Sequence, residues 1–142
     1  MIELICIDVD GTLVGSTGEV ASASWEAVAR TRAAGVRLAI CTGRPAFGLT
    51  RGYAERLDDD GWHVFQNGAS VVRLPSGATR SRGLPATAVE SLVARARETG
   101  RALELYSDTE YAVETDTVRT RFSVVRWASP AGIHTACWGG RR

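Results

Sequence analysis

Short apolar runs, each closing on a polar turn with glycine, mark the first half of the chain. Leu4-Ile5-Cys6-Ile7 leads into Asp8-Val9-Asp10-Gly11, Val36-Arg37-Leu38-Ala39-Ile40-Cys41 into Thr42-Gly43, and Trp62-His63-Val64-Phe65-Gln66 into Asn67-Gly68. Runs of this length without polar alternation read as buried strands of a parallel sheet. Between the first two, Ser22 or Ser24 caps a helix that carries Trp25, Val28, Ala29, Arg32 and Ala33 and stops at Gly35. A second helix spans about 46–57. Strand, helix and strand make right-handed βαβ units. The pattern therefore predicts residues 2–9, 36–41 and 62–66 as parallel strands of one sheet, ordered third, second, first, with helices near 22–34 and 46–57.

Further along, Val71-Val72-Arg73-Leu74, the turn Pro75-Ser76-Gly77 and Ala78-Thr79-Arg80 read as a hairpin. The character changes near residue 83. Leu84-Pro85-Ala86-Thr87 opens a helix with Val89, Leu92, Val93 and Ala96 at helical spacing and Gly100 as its stop. Residues 102–106 and 111–114 flank Ser107-Asp108-Thr109-Glu110 as a second hairpin, and 121–127 reads as one more strand. A helix with antiparallel strands fits a separate module rather than more of the parallel sheet. In the tail, His134 and Cys137 are too few to make a metal site. The run Asp58-Asp59-Asp60-Gly61 reads as a solvated turn, since three consecutive carboxylates cannot all face one ion.

The chemistry concentrates at Asp8 and Asp10. Ligands of open α/β sheets bind outside the carboxyl ends of the strands, where these two residues emerge. Two like charges held close need a cation. A hard divalent ion with oxygen ligands, Mg²⁺ above all, meets that need without histidine or cysteine.

Asp8-Val9-Asp10-Gly11-Thr12-Leu13-Val14 resembles motif one of the haloacid dehalogenase (HAD) superfamily of phosphohydrolases. Thr42-Gly43-Arg44-Pro45 resembles its second motif in the form typical of Cof-type phosphatases. Val64-Phe65-Gln66-Asn67-Gly68-Ala69 is similar to the third-strand signature of that subfamily. The resemblance is strong over residues 1 to about 75. It implies an α/β fold, a HAD-like Rossmannoid parallel sheet followed by the beginning of an α/β cap, with 1–80 as the N-terminal part of the core and 81–142 as a partial cap module. A turn and flap would cover 13–20. It implies Mg²⁺-dependent hydrolysis of small phosphomonoesters, sugar phosphates among them, through an aspartyl-phosphate. Asp8 would be the nucleophile and Asp10 the general acid and base. Asp8, through its carboxylate, and Asp10, through its main-chain carbonyl, would hold the metal. Gly11, Thr42, Gly43 and Arg44 would bind phosphate, with help from free N–H groups of a helix whose first turn holds Pro45. Arg44 either reaches the substrate or pairs with a structural carboxylate. Asn67 either turns the chain toward the cap hinge or touches substrate.

Composition narrows the partners. Formal net charge is +1 over 142 residues, which leaves no electrostatic footprint for nucleic acid or an anionic membrane. There is no signal peptide and no apolar run of membrane-spanning length, so a cytoplasmic location is the default. Cys6 and Cys41 sit within expected buried strands, where cysteine acts as a small hydrophobe. The seventeen basic residues are all arginine. The superfamily's phosphate-binding lysine therefore has no counterpart, and an arginine in its place has different geometry. Its late acidic motif, G-D-x-x-N-D, is also absent: the last carboxylate of the sequence is Asp116. The chain reads as the front half of a Cof-type phosphatase, whether from a shortened gene, a shifted frame or a deliberate cut. The alternative is a non-catalytic phosphate-binding or protein-interaction remnant of that fold. A receiver-like phosphoacceptor would need a lysine that is not there. The strand with Asp8 would become a long apolar edge that something in 101–127, or a second copy of the chain, pairs with.

Overall fold

The structure is a computed structural model that describes residues 2–113. Strands β1 (Leu4–Ile7) and β2 (Arg37–Ile40) run parallel in the register Leu4 to Arg37 through Ile7 to Ile40, joined by helix α1 (Ser22–Ala33). Helix α2 (Leu49–Leu57) leads to β3 (Trp62–Phe65), which lies beside β2 through a parallel bridge between Cys41 and Val64. The Thr42 N–H donates to the Val64 carbonyl at 3.0 Å. The order third, second, first is as expected.

Strand β4 (Ser70–Arg73) pairs antiparallel with β3, Trp62 opposite Arg73 and Phe65 opposite Ser70. The expected hairpin with 78–80 is there, but it is a minor ladder: one bridge between Val72 and Thr79, with Arg73 N–H on the Ala78 carbonyl and Arg80 N–H on the Val71 carbonyl, each at 2.8 Å. The main pairing of β4 goes to β3 because the 3-10 turn Gln66–Gly68 reverses the chain, with φ of 51° at Gln66, 55° at Asn67 and 94° at Gly68. Asn and Gly suit such a turn; Gln66 gives no such signal.

One core joins these elements. Leu38 and Ile40 of β2, Phe65 of β3 and Val72 of β4 pack with Val28 of α1 and with Ala54 and Leu57 of α2. Trp25 of α1 meets Tyr53 of α2 at 6.4 Å between ring centroids, and the Arg56 guanidinium lies 3.7 Å over Trp25. A fully buried side chain such as Ile40 or Phe65 contributes about 1.5–3 kcal/mol.

Several expectations need correction. β1 is not buried: Leu4 is 55% exposed, Ile5 37%, and Cys6 is exposed, as is Cys41 beyond β2. An apolar run records that a strand needs cover, and among the described residues β1 pairs with β2 alone. Neither Ser22 nor Ser24 caps α1. The cap position is Ala21, whose carbonyl accepts the Ser24 N–H at 3.0 Å. Helix α2 begins at Leu49, not near 46, because Gly48 at φ 63°, ψ −142° holds a conformation closed to L side chains. Pro45 thus lies outside the first turn, and the helix N-terminus starts beyond the residues it was expected to serve.

The aspartate turn is not simply solvated either. Asp58 is buried and pairs with Arg37 Nε at 2.6 Å, Asp59 pairs with Arg32 at 2.7 Å, and Asp60 with Arg73 at 3.1 Å. The arginines come from α1, β2 and β4, so nothing local in the sequence announces them. His63, fully buried, completes this corner. Its Nδ1 accepts the Ile40 N–H at 3.1 Å, which leaves the Nε2 proton for the Asp58 carbonyl at 2.8 Å.

Past β4, helix α3 (Ala86–Thr99) ends on Gly100 at φ 63°, the left-handed stop that was expected. Strands β5 (Glu104–Tyr106) and β6 (Tyr111–Val113) form the second hairpin. The expected strand 121–127 and the tail with His134 and Cys137 lie outside the described residues. Among the described residues no helix is long and apolar enough to cross a membrane.

Burial holds the His63 pKa below its ordinary value of 6.5. The unfolded chain binds the proton as pH falls through that value and the folded chain resists, so stability is lost on acidification. Urea unfolding at about pH 5.5 should give a lower midpoint than at about pH 7.5. His63→Gln should shrink that difference and cost about 1–3 kcal/mol at both. An unchanged pH response in the variant would refute this. A Cβ at Gly61 would lie 2.9 Å from Asp58 Cγ and 3.0 Å from its Oδ2. Asp58 is held by Arg37, so Gly61→Ala should cost about 1–3 kcal/mol in thermal unfolding; a neutral result would mean the turn shifts freely.

Candidate active site

The parallel register sets Asp8 and Thr42 at the same end of the sheet. Ile7 and Ile40 are partners, and Cys41 N–H donates to the Ile7 carbonyl at 2.9 Å. After Ile7 the chain makes a tight turn. Leu13 N–H reaches the Asp8 carbonyl at 3.2 Å, Val14 N–H the Val9 carbonyl at 2.8 Å, and Gly11, at φ 76°, donates to the Val14 carbonyl at 3.0 Å. Val9 and Leu13 anchor this turn in the core, while Asp8 and Asp10 remain exposed at the strand end. The short loop after it closes by Gly18 N–H on the Gly15 carbonyl, 3.1 Å, where the flap was expected.

The loop after β2 is tied to the turn after β3. Asn67 N–H donates to the Thr42 carbonyl at 3.1 Å and Gln66 N–H to the Arg44 carbonyl at 3.0 Å. Arg44 N–H donates to the buried Thr42 Oγ1 at 3.2 Å, which leaves the hydroxyl proton to be given elsewhere. Gly43 passes so close to Asn67 that a Cβ there would sit 3.1 Å from its Oδ1. Asn67 therefore makes the turn, in left-handed conformation, and also lines the cleft below.

Of the two readings of Arg44, the structure shows the carboxylate pairing, and the carboxylate is Asp10. Nε donates to Oδ2 at 2.9 Å and Nη2 to Oδ1 at 2.5 Å, a fork-on-fork pair. The Arg44 side chain is 6% exposed and that of Asp10 51%. Arg44 thus supplies a positive charge to Asp10.

A cleft of about 330 Å³ opens here, lined by Asp10, Gly43, Arg44, Pro45, Gln66, Asn67 and Tyr106. Tyr106, which the sequence did not single out, arrives from the β5–β6 hairpin. Gln66 Nε2 donates to the Ser107 carbonyl at 2.8 Å, Ser81 Oγ donates to Asp108 Oδ1 at 2.8 Å, and Ser70 Oγ donates to the same oxygen. Phe47, just after Pro45, packs with Tyr106, Tyr111 and Val113. The Tyr106 hydroxyl donates to Glu104 Oε2 at 2.7 Å, and burial, then that carboxylate, pushes its pKa well above the usual tyrosine value. The ties of the hairpin to Gln66, Ser70 and Ser81 link positions 27 to 41 residues apart in sequence, which no local pattern reveals.

Among the described residues no group of three or more His, Cys, Asp and Glu gathers to hold a metal. Asp8 and the Asp10 carbonyl are hard oxygen donors at one strand end. That set fits a magnesium ion, which keeps waters and uses one or two carboxylates together with substrate phosphate.

Known proteins place the chain in a family. Residues 5–129 match the family model of haloacid dehalogenase-like hydrolases. Over 74 residues, half of this chain, the sequence is 40% identical to a Bacillus subtilis (strain 168) protein named "Putative phosphatase YxeH", of which that stretch is 27%. A haloacid dehalogenase-like hydrolase from Bacteroides thetaiotaomicron superposes with a TM-score of 0.77 at 25% identity, over 89% of this chain and 49% of that one. A HAD subclass IIB sugar phosphatase superposes at 0.69 and 23% identity, over 84% of this chain and 46% of that one, a likeness of fold alone. The chain spans about half the length of these solved structures. With the family model matched over most of its length, the chain belongs to the haloacid dehalogenase-like hydrolases.

Proposed function

We propose that this chain carries the nucleophile and acid–base residues of a Mg²⁺-dependent phosphatase for small phosphomonoesters, sugar phosphates among them. The observation that carries the reading is the placement of Asp8, Asp10 and Thr42 at one sheet edge, with Asp10 at a cleft large enough for such a substrate. The sugar phosphatase among its structural relatives motivates the substrate class.

In this reading an Asp8 carboxylate oxygen attacks phosphorus. The bond to the leaving oxygen breaks, and Asp10 gives that oxygen its proton. Water then attacks the aspartyl-phosphate, Asp10 takes the water's proton, and phosphate departs with Asp8 restored. The Thr42 hydroxyl donates to a phosphoryl oxygen, and the backbone of Gly11 and Gly43 approaches the phosphate without a side chain in the way. Arg44, held on Asp10, adds positive charge beside it. Asn67 borders the leaving group. Asp8 and the Asp10 carbonyl would hold the magnesium ion, which neutralises the repulsion between carboxylate and phosphate dianion.

No lysine and no late acidic motif occur in the sequence. Charged contacts to a transferring phosphoryl group are each worth about 10²–10³ in rate, so turnover of p-nitrophenyl phosphate should be slow. Asp8→Asn should lower it at least about 10²-fold further. A rate that Asp8→Asn leaves unchanged would sink the reading. Binding of inorganic phosphate without Asp8-dependent turnover would favour a phosphate-binding remnant. Asp10→Asn, which replaces the charged carboxylate on Arg44 with a neutral amide, should cost about 1–2 kcal/mol in urea unfolding, reduced by the exposure of Asp10. No loss would mean that the pair contributes nothing to the fold.

A further inference from the structure

We propose that Arg44 is the positioning residue of the acid–base step: it fixes the Asp10 carboxylate for proton transfer to the leaving oxygen and is not itself a phosphate ligand. The proposal rests on the phosphatase reading above.

Three observations lead to it. First, the Nε and Nη2 edge of the guanidinium takes both oxygens of Asp10. A phosphate on that edge would have to evict the carboxylate. Second, the partners are unequal. Arg44 is buried and Asp10 half exposed, so Arg44 is the fixed member and Asp10 the member it holds. Third, the Arg44 main chain is pinned on both sides, its N–H on Thr42 Oγ1 at 3.2 Å and its carbonyl under the Gln66 N–H at 3.0 Å. The position of Asp10 is thereby referred to the ends of β2 and β3.

A carboxyl that donates a proton must point at the leaving oxygen when the P–O bond breaks. The donation leaves Asp10 as a carboxylate, which is the form paired with Arg44 in the structure. In the second half-reaction, water bonds to phosphorus as the aspartyl oxygen leaves, and the water's proton goes to that waiting carboxylate. The fork thus stabilises the state between the two proton transfers. A lysine, a point charge without a planar fork, would not fix both oxygens.

The test uses leaving groups that need a proton to different degrees. The complete chain, with Mg²⁺, would be assayed on p-nitrophenyl phosphate, whose leaving group needs little help, and on phenyl phosphate, whose leaving group needs more. Arg44→Lys should lower kcat on phenyl phosphate about tenfold more than on p-nitrophenyl phosphate, with KM and inhibition by inorganic phosphate unchanged. Asp10→Asn should show the same bias more strongly, and the double variant should be no worse than Asp10→Asn alone. Asp10→Glu, which keeps Arg44 but moves the carboxyl, should give the bias by a second route and covers a failure of Arg44→Lys to fold. An equal loss on both substrates with raised KM and weaker phosphate inhibition would make Arg44 a phosphate ligand and overturn the proposal. So would an equal loss with unchanged KM, the mark of a merely structural role. If Asp8→Asn leaves both rates intact, or no Asp8-dependent rate exists, the phosphatase reading falls and the proposal with it.

Discussion

A half-exposed carboxylate, Asp10, stands at one strand end against a buried guanidinium, Arg44. Arg44 can be buried because its charge is delocalised, weakly hydrated and met by both oxygens of Asp10. An ammonium in that place would lose more hydration and satisfy fewer donors. Much of the site follows from this pair. For Arg44 to reach Asp10, the loop after β2 must bend back across the sheet edge. The bend is held by Thr42, Gln66 and Asn67. The same hydrogen bonds bring Gln66 to the place where it receives the β5–β6 hairpin, which adds Tyr106 to the cleft.

The same reliance on arginine recurs at the other end of the sheet with a different outcome. Arg32 with Asp59 and Arg73 with Asp60 are exposed pairs, screened by salt and of small consequence. Arg37 with Asp58 differs, because Asp58 is buried and Gly61 packs directly on its carboxylate. His63 then spans from this turn to Ile40, the last residue of β2. The end of β2 is thus braced by a neutral imidazole before the chain enters Thr42-Gly43-Arg44. Protonating His63 would remove the acceptor from the Ile40 N–H, so the brace and the site share a strand though not a charge.

How much was legible follows from what each feature depends on. The three parallel strands, their order, α3 with its Gly100 stop and the β5–β6 hairpin rest on local pattern, and all appear where the sequence placed them. Asp8, Asp10 and Thr42 share one edge because strand ends fix them. The start of α2 was missed because Gly48 reads as an ordinary residue of a helix, while its φ of 63° and ψ of −142° break the helix there. For β1 the sequence pointed two ways: its apolar run implied burial, while the absence of its far neighbours implied an open edge, and among the described residues the edge is open because burial needs a neighbour and hydrophobicity only reports the need for one. The arginine partners of the aspartate turn, the Arg44 fork and the arrival of Tyr106 are long-range contacts between residues with no shared periodicity.

The site is built unevenly, and the unevenness has a chemical meaning. Asp10 stands at the rim of a lined cleft, held by a buried cation and faced by a tyrosine from the hairpin. Asp8 stands exposed at the end of a strand whose outer edge carries Leu4 and Ile5 in the open. A nucleophilic carboxylate in bulk water keeps its hydration and feels neighbouring charges weakly, since electrostatic effects grow as water is excluded. In the proposed reaction, the described residues therefore preorganise Asp10, the proton-handling side, more fully than Asp8, the attacking side.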